Sequence, residues 1–539
     1  MHRRIHLLAR LCLLTALLAL ACGGSSYRRP AYATGPQVRT VRLSPGAEQP
    51  TLDTATGHLF VADPGRHLME MRSAATGALL RTIPAGEIFR APLLDARRSH
   101  LFVADGDMAG RSGSVLVVDT RTGRVLRAVT VGPYPQPLLL DDGAARLLVS
   151  TATNQTRLGR QTTLGSIVIL DAHTGMVAAR IPYPGTVQLG AFDPQRHRVI
   201  VVYDNGTGGQ AGRSYGVIDT RAGRLLPIAD SNQNGQQPVL DLQRGIAMII
   251  DTDESTVHVV NTATGVVLHT IKVDAFPWNG ATDPHSGRGY IVSQGLAVGG
   301  AAINSTFSVL DLQAGTVLHQ TLVGENATGI NLNPAGDRAY VALRTGDLAV
   351  LDTGSGRLLR TVRVGETSDY LPAFVSHGLA YAMSFGDVTA SSTTDASTSG
   401  MLRVLSAHDG TPLRTIPVGV NPSWPPLADA TGRRLFFSSP GPPGGMNAFP
   451  SGPGTVSVVD AATGRLLRKI PVGIGPSLIG LDPARGHLLV LNRQGDGTAP
   501  PSPGRGVPVC SARTRWVGFD APPPCRQPYA SLSIIPLVP

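Results

Sequence analysis

Lysine is nearly missing from this chain. Lys272 and Lys469 are the only two among 539 residues, and arginine supplies almost all of the basic charge. The net charge is +10, yet the arginines are scattered and form no cluster interleaved with aromatic residues. That distribution argues against nucleic acid as a partner. Aromatic residues make up 5% of the chain, and tryptophan occurs three times. Cysteine occurs four times, and no C-x-x-C-H is present for haem attachment. H-E-x-x-H, G-x-S-x-G and D-x-D-x-D-G are also absent, which removes three common hydrolase and calcium signatures. The 14 histidines are dispersed and read as surface or turn residues. No cofactor and no metal site is expected. The densest acidic run, Asp251-Thr-Asp-Glu254, reads as a solvated turn.

What is there is repetition. A hydrophobic run ending in an acidic or polar residue, a turn ending in glycine, and a second hydrophobic run recur nine times. Clear copies are VVDTRTGRVLRAV at 117–129, ILDAHTGMVAARI at 169–181, VLDTGSGRLLRTV at 350–362 and VVDAATGRLLRKI at 458–470. Weaker ones lie at 71–83 and 404–416. A period of about 40–55 residues is the signature of a β-propeller, in which each repeat is one four-stranded blade. Plentiful glycine (63) and proline (42) suit many short strands joined by turns.

Within each unit four short strands are legible, A to D from the inside outward. In the second unit they fall at Pro92–Asp95, His100–Ala104, Ser114–Asp119 and Arg124–Val131. The A–B turns carry turn chemistry, as in DPARGH at 482–487. The recurrent Asp of the C–D turn (Asp119, Asp171, Asp219, Asp311, Asp352, Asp460) invites a catalytic reading. Its recurrence in most units argues for turn work instead, accepting backbone N–H bonds.

Counting A–B pairs gives ten units, but the last has no strand D. It ends in a strand-C-like SLSIIPLV at 531–538, while an orphan strand, QVRTVRL, stands at 37–43. The expected fold is therefore all-β, a propeller of about ten blades whose last blade is closed by the N-terminal strand. Two smaller packed rings are the alternative.

The first residues read as a secretion signal. Arg3, Arg4 and Arg10 precede a short apolar stretch, Leu11–Ala21, then Cys22-Gly-Gly-Ser-Ser. This resembles a bacterial lipoprotein leader, with Ala19 where such leaders favour Leu. The resemblance implies cleavage before Cys22, lipid on its thiol, and a tether over residues 22–36. Loss of the three leader arginines takes the net charge from +10 to about +7. Cys510 and Cys525 then remain, both in a Pro-rich loop at 493–529, and are expected to pair as a disulfide outside the cytoplasm. Closing a loop of about 15 residues contributes about 3 kcal/mol on a chain-entropy argument.

The repeats resemble the YVTN-type β-propeller repeat, the group that includes YncE-like secreted bacterial proteins. The matching pieces are HLFVAD at 100–105, VVDTRTGRVL at 117–126 and IPVGIGP at 470–476. The likeness spans residues 37–539 and speaks to architecture more than to activity. Quinoprotein propellers, with their periodic tryptophans, do not fit a chain with three.

In a propeller the B–C loops and D–A crossovers share one face. The longest insertions fall in B–C loops, at 151–165, 204–214, 293–305, 385–400, 438–454 and 493–529. That makes this the expected binding face. Aligning the units on the acidic residue that ends strand A, and stepping back five residues, gives a predicted axial ring. Its members are Glu48, Arg90, Gln136, Gln188, Gln236, Trp278, Thr328, Tyr370, Trp424 and Ser477. Aromatic faces with a few convergent polar groups are what a ligand pocket needs. The expected role is a lipid-anchored extracytoplasmic module, monomeric, that binds an envelope protein, glycan or small ligand. The competing reading is an enzyme, a lactonase-like hydrolase or a redox protein with an axial site.

Overall fold

The computed structural model describes residues 37–537 except 87–91, 107–111, 158–159, 185–186, 205–212, 228–235, 296–303, 366–372, 385–399, 420–421, 441–452 and 495–528. Cys22, Cys510, Cys525, Arg90 and Tyr370 lie outside the described residues, as do the leader, the tether and nearly all of the 493–529 loop.

Among the described residues, forty strands form ten antiparallel sheets of four, nine of them in strict sequence order and the tenth completed by the first strand of the chain. A single 3-10 turn, Pro64–Arg66, is the one helical element among the described residues. No helix among them is long and apolar enough to cross a membrane. We number the blades 1–10 in chain order and keep the letters A–D. Blade 1 comprises Glu48–Asp53, His58–Asp63, Leu68–Ser73 and Leu79–Pro84. In the second unit the strands fall at Leu93–Asp95, His100–Gly106, Gly113–Asp119 and Val125–Thr130, within two residues of the sequence reading at every boundary.

Strand B shows why the runs are so uniformly apolar. Successive side chains point to opposite faces of a sheet. In blade 1, Leu59 and Val61 pack against blade 10, whereas Phe60 and Ala62 pack against blade 2. Both faces are buried, so no polar alternation survives in the sequence. Strand D is the outer edge, and in blades 1 and 2 it is exposed along most of its length. The clusters of buried apolar residues lie between blades rather than within them. One joins each consecutive pair, from blades 1 and 2 through to blades 9 and 10. A tenth joins blade 10 back to blade 1 through Leu489, Leu532, Leu59 and Val61. This is one closed ten-bladed ring, and it overturns the two-ring alternative.

The ring closes as the orphan strand implied. Arg39–Pro45 pairs antiparallel with Tyr529–Pro536, setting Thr40 opposite Ser533 and Val41 opposite Leu532. Leu43 is buried in the seam cluster. The Arg42 guanidinium lies 4.2 Å from the centre of the Tyr529 ring. Blade 10 thus gains a fourth strand and leaves no open edge on its third.

A polar latch repeats between blades. Where strand A ends in Asp-x-x-Arg, the arginine folds back on its own Asp and reaches the A–B turn of the next blade. Arg196 binds Asp193 Oδ2 (3.1 Å) and the carbonyls of Leu242 (2.8 Å) and Gln243 (3.3 Å). Arg98 spans Asp95 and Asp142, and Arg244 spans Asp241 and the Pro284 and His285 carbonyls. Arg485 does the same across the seam, from Asp482 to the Thr56 carbonyl at 3.3 Å. The receiving turn ends in a left-handed residue, a glycine for Arg196, Arg244 and Arg485 and Ala145 for Arg98. Gly57 has φ +75°, and a Cβ there would lie 2.1 Å from Arg485 Cζ. Gly57→Ala is expected to cost about 2 kcal/mol, from the left-handed backbone and the displaced guanidinium together. Urea unfolding of that variant beside Arg485→Ala checks it. A Gly57→Ala loss no larger than that of Arg485→Ala would mean the backbone term is small.

Candidate functional site

The A strands form the inner wall, because consecutive ones touch. Thr282 Oγ1 donates to the Leu240 carbonyl of the preceding blade at 2.7 Å, and Asn331 Nδ2 donates to the Ala373 carbonyl of the following blade at 3.2 Å. This wall carries a recurrent β-bulge. Register slips by one residue at Leu138, Gly190, Trp278, Thr328 and Ile479. A bulge re-aims the side chain it carries and often lies beside a functional site.

At Trp278 the bulge meets a pocket of about 400 Å³ on the wall of blades 4 to 6. Ala191 belongs to strand A of blade 4, Val187–Asp193. Gln236 and Gln237 precede strand A of blade 5, Val239–Asp241, and Trp278, Asn279 and Gly280 lie on strand A of blade 6, Pro277–Asp283. None of its described lining residues is ionisable. Phe276 lies nearly parallel to the indole, with ring centres 6.2 Å apart. The chain turns into the strand at Phe276 itself, whose φ of 59° is unusual for a bulky residue. Gln236 is tied on both sides. Its N–H donates to the Ile250 carbonyl, its carbonyl accepts from the Tyr215 hydroxyl, and its amide donates to Thr252 Oγ1 at 3.4 Å. Thr252 in turn donates to the Pro277 carbonyl at 2.9 Å, so one hydroxyl connects the two walls.

The other ring positions vary. Glu48, Gln136 and Ser477 are half-buried on their A strands. Gln188 lies on strand A of blade 4, with its side chain outside the described residues. Thr328 is buried, and its hydroxyl donates to the Ala342 carbonyl. Trp424 packs on Phe437 of its own blade's core, with ring centres 6.4 Å apart. The pocket therefore brings Gln236 and Trp278 together and adds Gln237 and Asn279.

Among the B–C insertions, 151–165 is not a loop. Arg146–Arg157 and Arg160–Asp171 continue as one ladder with unbroken register, an extended hairpin rising from blade 3. The run at Asp251 does form a B–C turn, but it is not simply solvated. Asp251 is 1% exposed, at the end of strand B of blade 5, Ile246–Asp251. Its burial raises its pKa above the usual carboxylate range.

The C–D aspartates do turn work. In all six, Oδ1 accepts the N–H of the third residue on, at 2.7–2.9 Å. At Asp460 the Thr463 hydroxyl is the largest influence and outweighs burial, so the pKa falls below 3.8. At Asp352 the Ser355 N–H and hydroxyl do the same. A carboxyl held low in the folded state stabilises it above about pH 4, and that contribution is lost as the pH falls through the lowered value. Asp460→Asn is expected to unfold at a lower urea concentration than the parent at pH 7, and the gap is expected to close near pH 2. A gap independent of pH would mean that the charge of Asp460 contributes nothing.

The fold and the pocket define the class: a ten-bladed, single-ring β-propeller with a bulged inner wall. No family model matches the sequence, and no curated protein matches it. Among solved structures, the chain is similar to a quinohemoprotein alcohol dehydrogenase, ADHIIG, from Pseudomonas putida HK5. The identity is 13%, over 93% of this chain and 75% of that one, with a TM-score of 0.41. It is similar to BamB from Moraxella catarrhalis at 14% identity, over 75% of this chain and 96% of that one, with a TM-score of 0.34. The crystal structure of a eukaryotic initiation factor gives 12% identity, over 72% and 90%, with a TM-score of 0.42.

Proposed function

We propose that this chain is a lipid-anchored extracytoplasmic binding module of the YVTN type, and that it takes a neutral saccharide at the inner wall of blades 4 to 6. The observation that carries the reading is the chemistry of the pocket. Among the described residues, an indole, three primary amides (Gln236, Gln237, Asn279) and no ionisable group line a space of about 400 Å³. A sugar ring offers an apolar C–H face for the indole and hydroxyls for the amides. A charged ligand would find no counter-charge among these described residues. The anchor rests on Arg3, Arg4, Arg10 and the Leu11–Ala21 stretch before Cys22. A tethered ring suits capture of a surface or soluble glycan.

The reading is tested by screening the purified chain against an array of neutral and acidic oligosaccharides. Retention of neutral members alone supports it. Retention of acidic glycans alone, or of none, overturns it. For the anchor, growth with radiolabelled palmitate is expected to label the parent and not Cys22→Ser; label on both would remove Cys22 from the account.

A further inference from the structure

Beside the pocket, but independent of what it binds, three metal-ligating side chains converge. Asp251 ends strand B of blade 5, Glu254 lies in the turn that follows, and His258 sits on strand C, Thr256–Asn261. One ligand atom from each lies within 4.8 Å of the other two. The Asp251 carboxylate is 1% exposed. Its Oδ1 accepts the N–H groups of Asp253 (3.1 Å) and Glu254 (3.0 Å), which fixes the carboxylate plane. Its Oδ2 is buried and has no hydrogen-bond partner among the described residues. A buried, unpaired carboxylate oxygen is costly, and native folds pair such groups or give them a cation. Asp253, a third carboxylate, adjoins the group. The nearby cation is Lys272, whose ammonium is held on the Glu254 main-chain carbonyl at 2.5 Å.

We propose that Asp251, Glu254 and His258 bind one divalent cation of the zinc type. The donor set is one imidazole nitrogen and two carboxylates, which suits Zn²⁺ and, less well, Mn²⁺. Ca²⁺ takes oxygen ligands and gains nothing from the imidazole. Ligand atoms around tetrahedral Zn²⁺ stand about 3.4 Å apart. The exposed Glu254 side chain is free to close the remaining distance, while Asp251 and His258 are already placed. His258 is oriented through Nδ1, 3.0 Å from Thr270 Oγ1, the kind of outer support that metal-binding histidines carry, and Nε2, only loosely placed 3.5 Å from Thr256 Oγ1, is the nitrogen left for the ion. Bound there, the ion clamps the B–C turn of blade 5. The next residue, Thr252, bridges Gln236 and the Pro277 carbonyl, so the clamp stiffens the pocket wall without touching a ligand.

The test is Zn²⁺ titration of the metal-free full chain by calorimetry, with thermal unfolding in parallel. The parent is expected to take up one equivalent that His258→Gln and Glu254→Gln lack or bind at least about tenfold more weakly. Zn²⁺ is expected to raise the melting midpoint of the parent and not of these variants. Asp251→Asn should lose the same equivalent and, without metal, melt no lower than the parent. The two other variants, at less buried positions, keep the test decisive if this one does not fold. Equal Zn²⁺ uptake by parent and variants would place the metal elsewhere and overturn the proposal, as would no uptake by the parent. Competition by Ca²⁺ at equal concentration would remove the imidazole from the site. A saccharide result of either sign leaves these readings unchanged.

Discussion

A chain cut to begin at Ala47 is expected to lose the cooperative fold that a chain beginning at Gln37 keeps. The missing strand, Arg39–Pro45, is the fourth strand of blade 10 and pairs along Tyr529–Pro536. Leu43 is 2% exposed in the seam cluster, and its truncation to alanine alone costs about 2–5 kcal/mol. Removing the whole strand adds lost ladder bonds and bares the edge of Tyr529–Pro536. The total exceeds about 5 kcal/mol, against a usual stability of about 5–15 kcal/mol for a whole domain. An open strand edge also invites association between copies. The shorter chain should therefore elute as aggregate and melt without a sharp transition. A synthetic peptide of residues 37–46 should restore the transition by refilling the edge. If the shorter chain melts as sharply and as high as the longer one, the strand is ornamental and the ring is held by its inter-blade clusters alone.

The second large effect is expected at the pocket. Trp278→Ala removes the indole and leaves Gln236, Gln237 and Asn279 in place. Aromatic anchors of this kind carry about 2 kcal/mol or more of binding, a loss of about 30-fold or greater in affinity. The side chain is half-buried and sits on a bulge, outside the ladder, so the melting midpoint should change little. Trp278→Phe should recover part of the affinity, because a smaller aromatic face remains. Trp424→Ala is expected to do the reverse. That indole packs on Phe437 and the blade 8–9 cluster, so its loss lowers stability and spares binding. A Trp278→Ala chain that melts far below the parent would show a structural tryptophan instead.

Most of the fold was legible because the repeat imposes it. Runs such as HLFVAD and VVDTRTGRVL announce strand B and the C–D hairpin wherever they occur, and the orphan strand at 37–43 could only complete the blade that lacked one. The candidate site was legible in part. A fixed offset from the last Asp of strand A picked Gln236 and Trp278 but also Thr328 and Trp424. The offset does not settle which way a side chain faces: Trp278 and Thr328 both fall on bulges, yet one lines the pocket and the other is buried. In blades 6 and 7 the bulge falls on the ring position itself, whereas in blades 3, 4 and 10 it falls two residues later. Bulges leave no mark in hydrophobic periodicity. The Asp-x-x-Arg latch was visible, since D95ARR98, D193PQR196, D241LQR244 and D482PAR485 recur at equivalent places. Its meaning was not, because the partner lies on the next blade. The closeness of His258 to Asp251 depends likewise on the tightness of one B–C turn.

The measurement that bears most directly on the account is a side-by-side glycan-array comparison of the parent chain and Trp278→Ala, each checked by its melting midpoint. The account predicts that the parent retains one or more neutral oligosaccharides and that Trp278→Ala, equally folded, retains none of them. Equal retention by both chains, or retention of none by the parent, would contradict it.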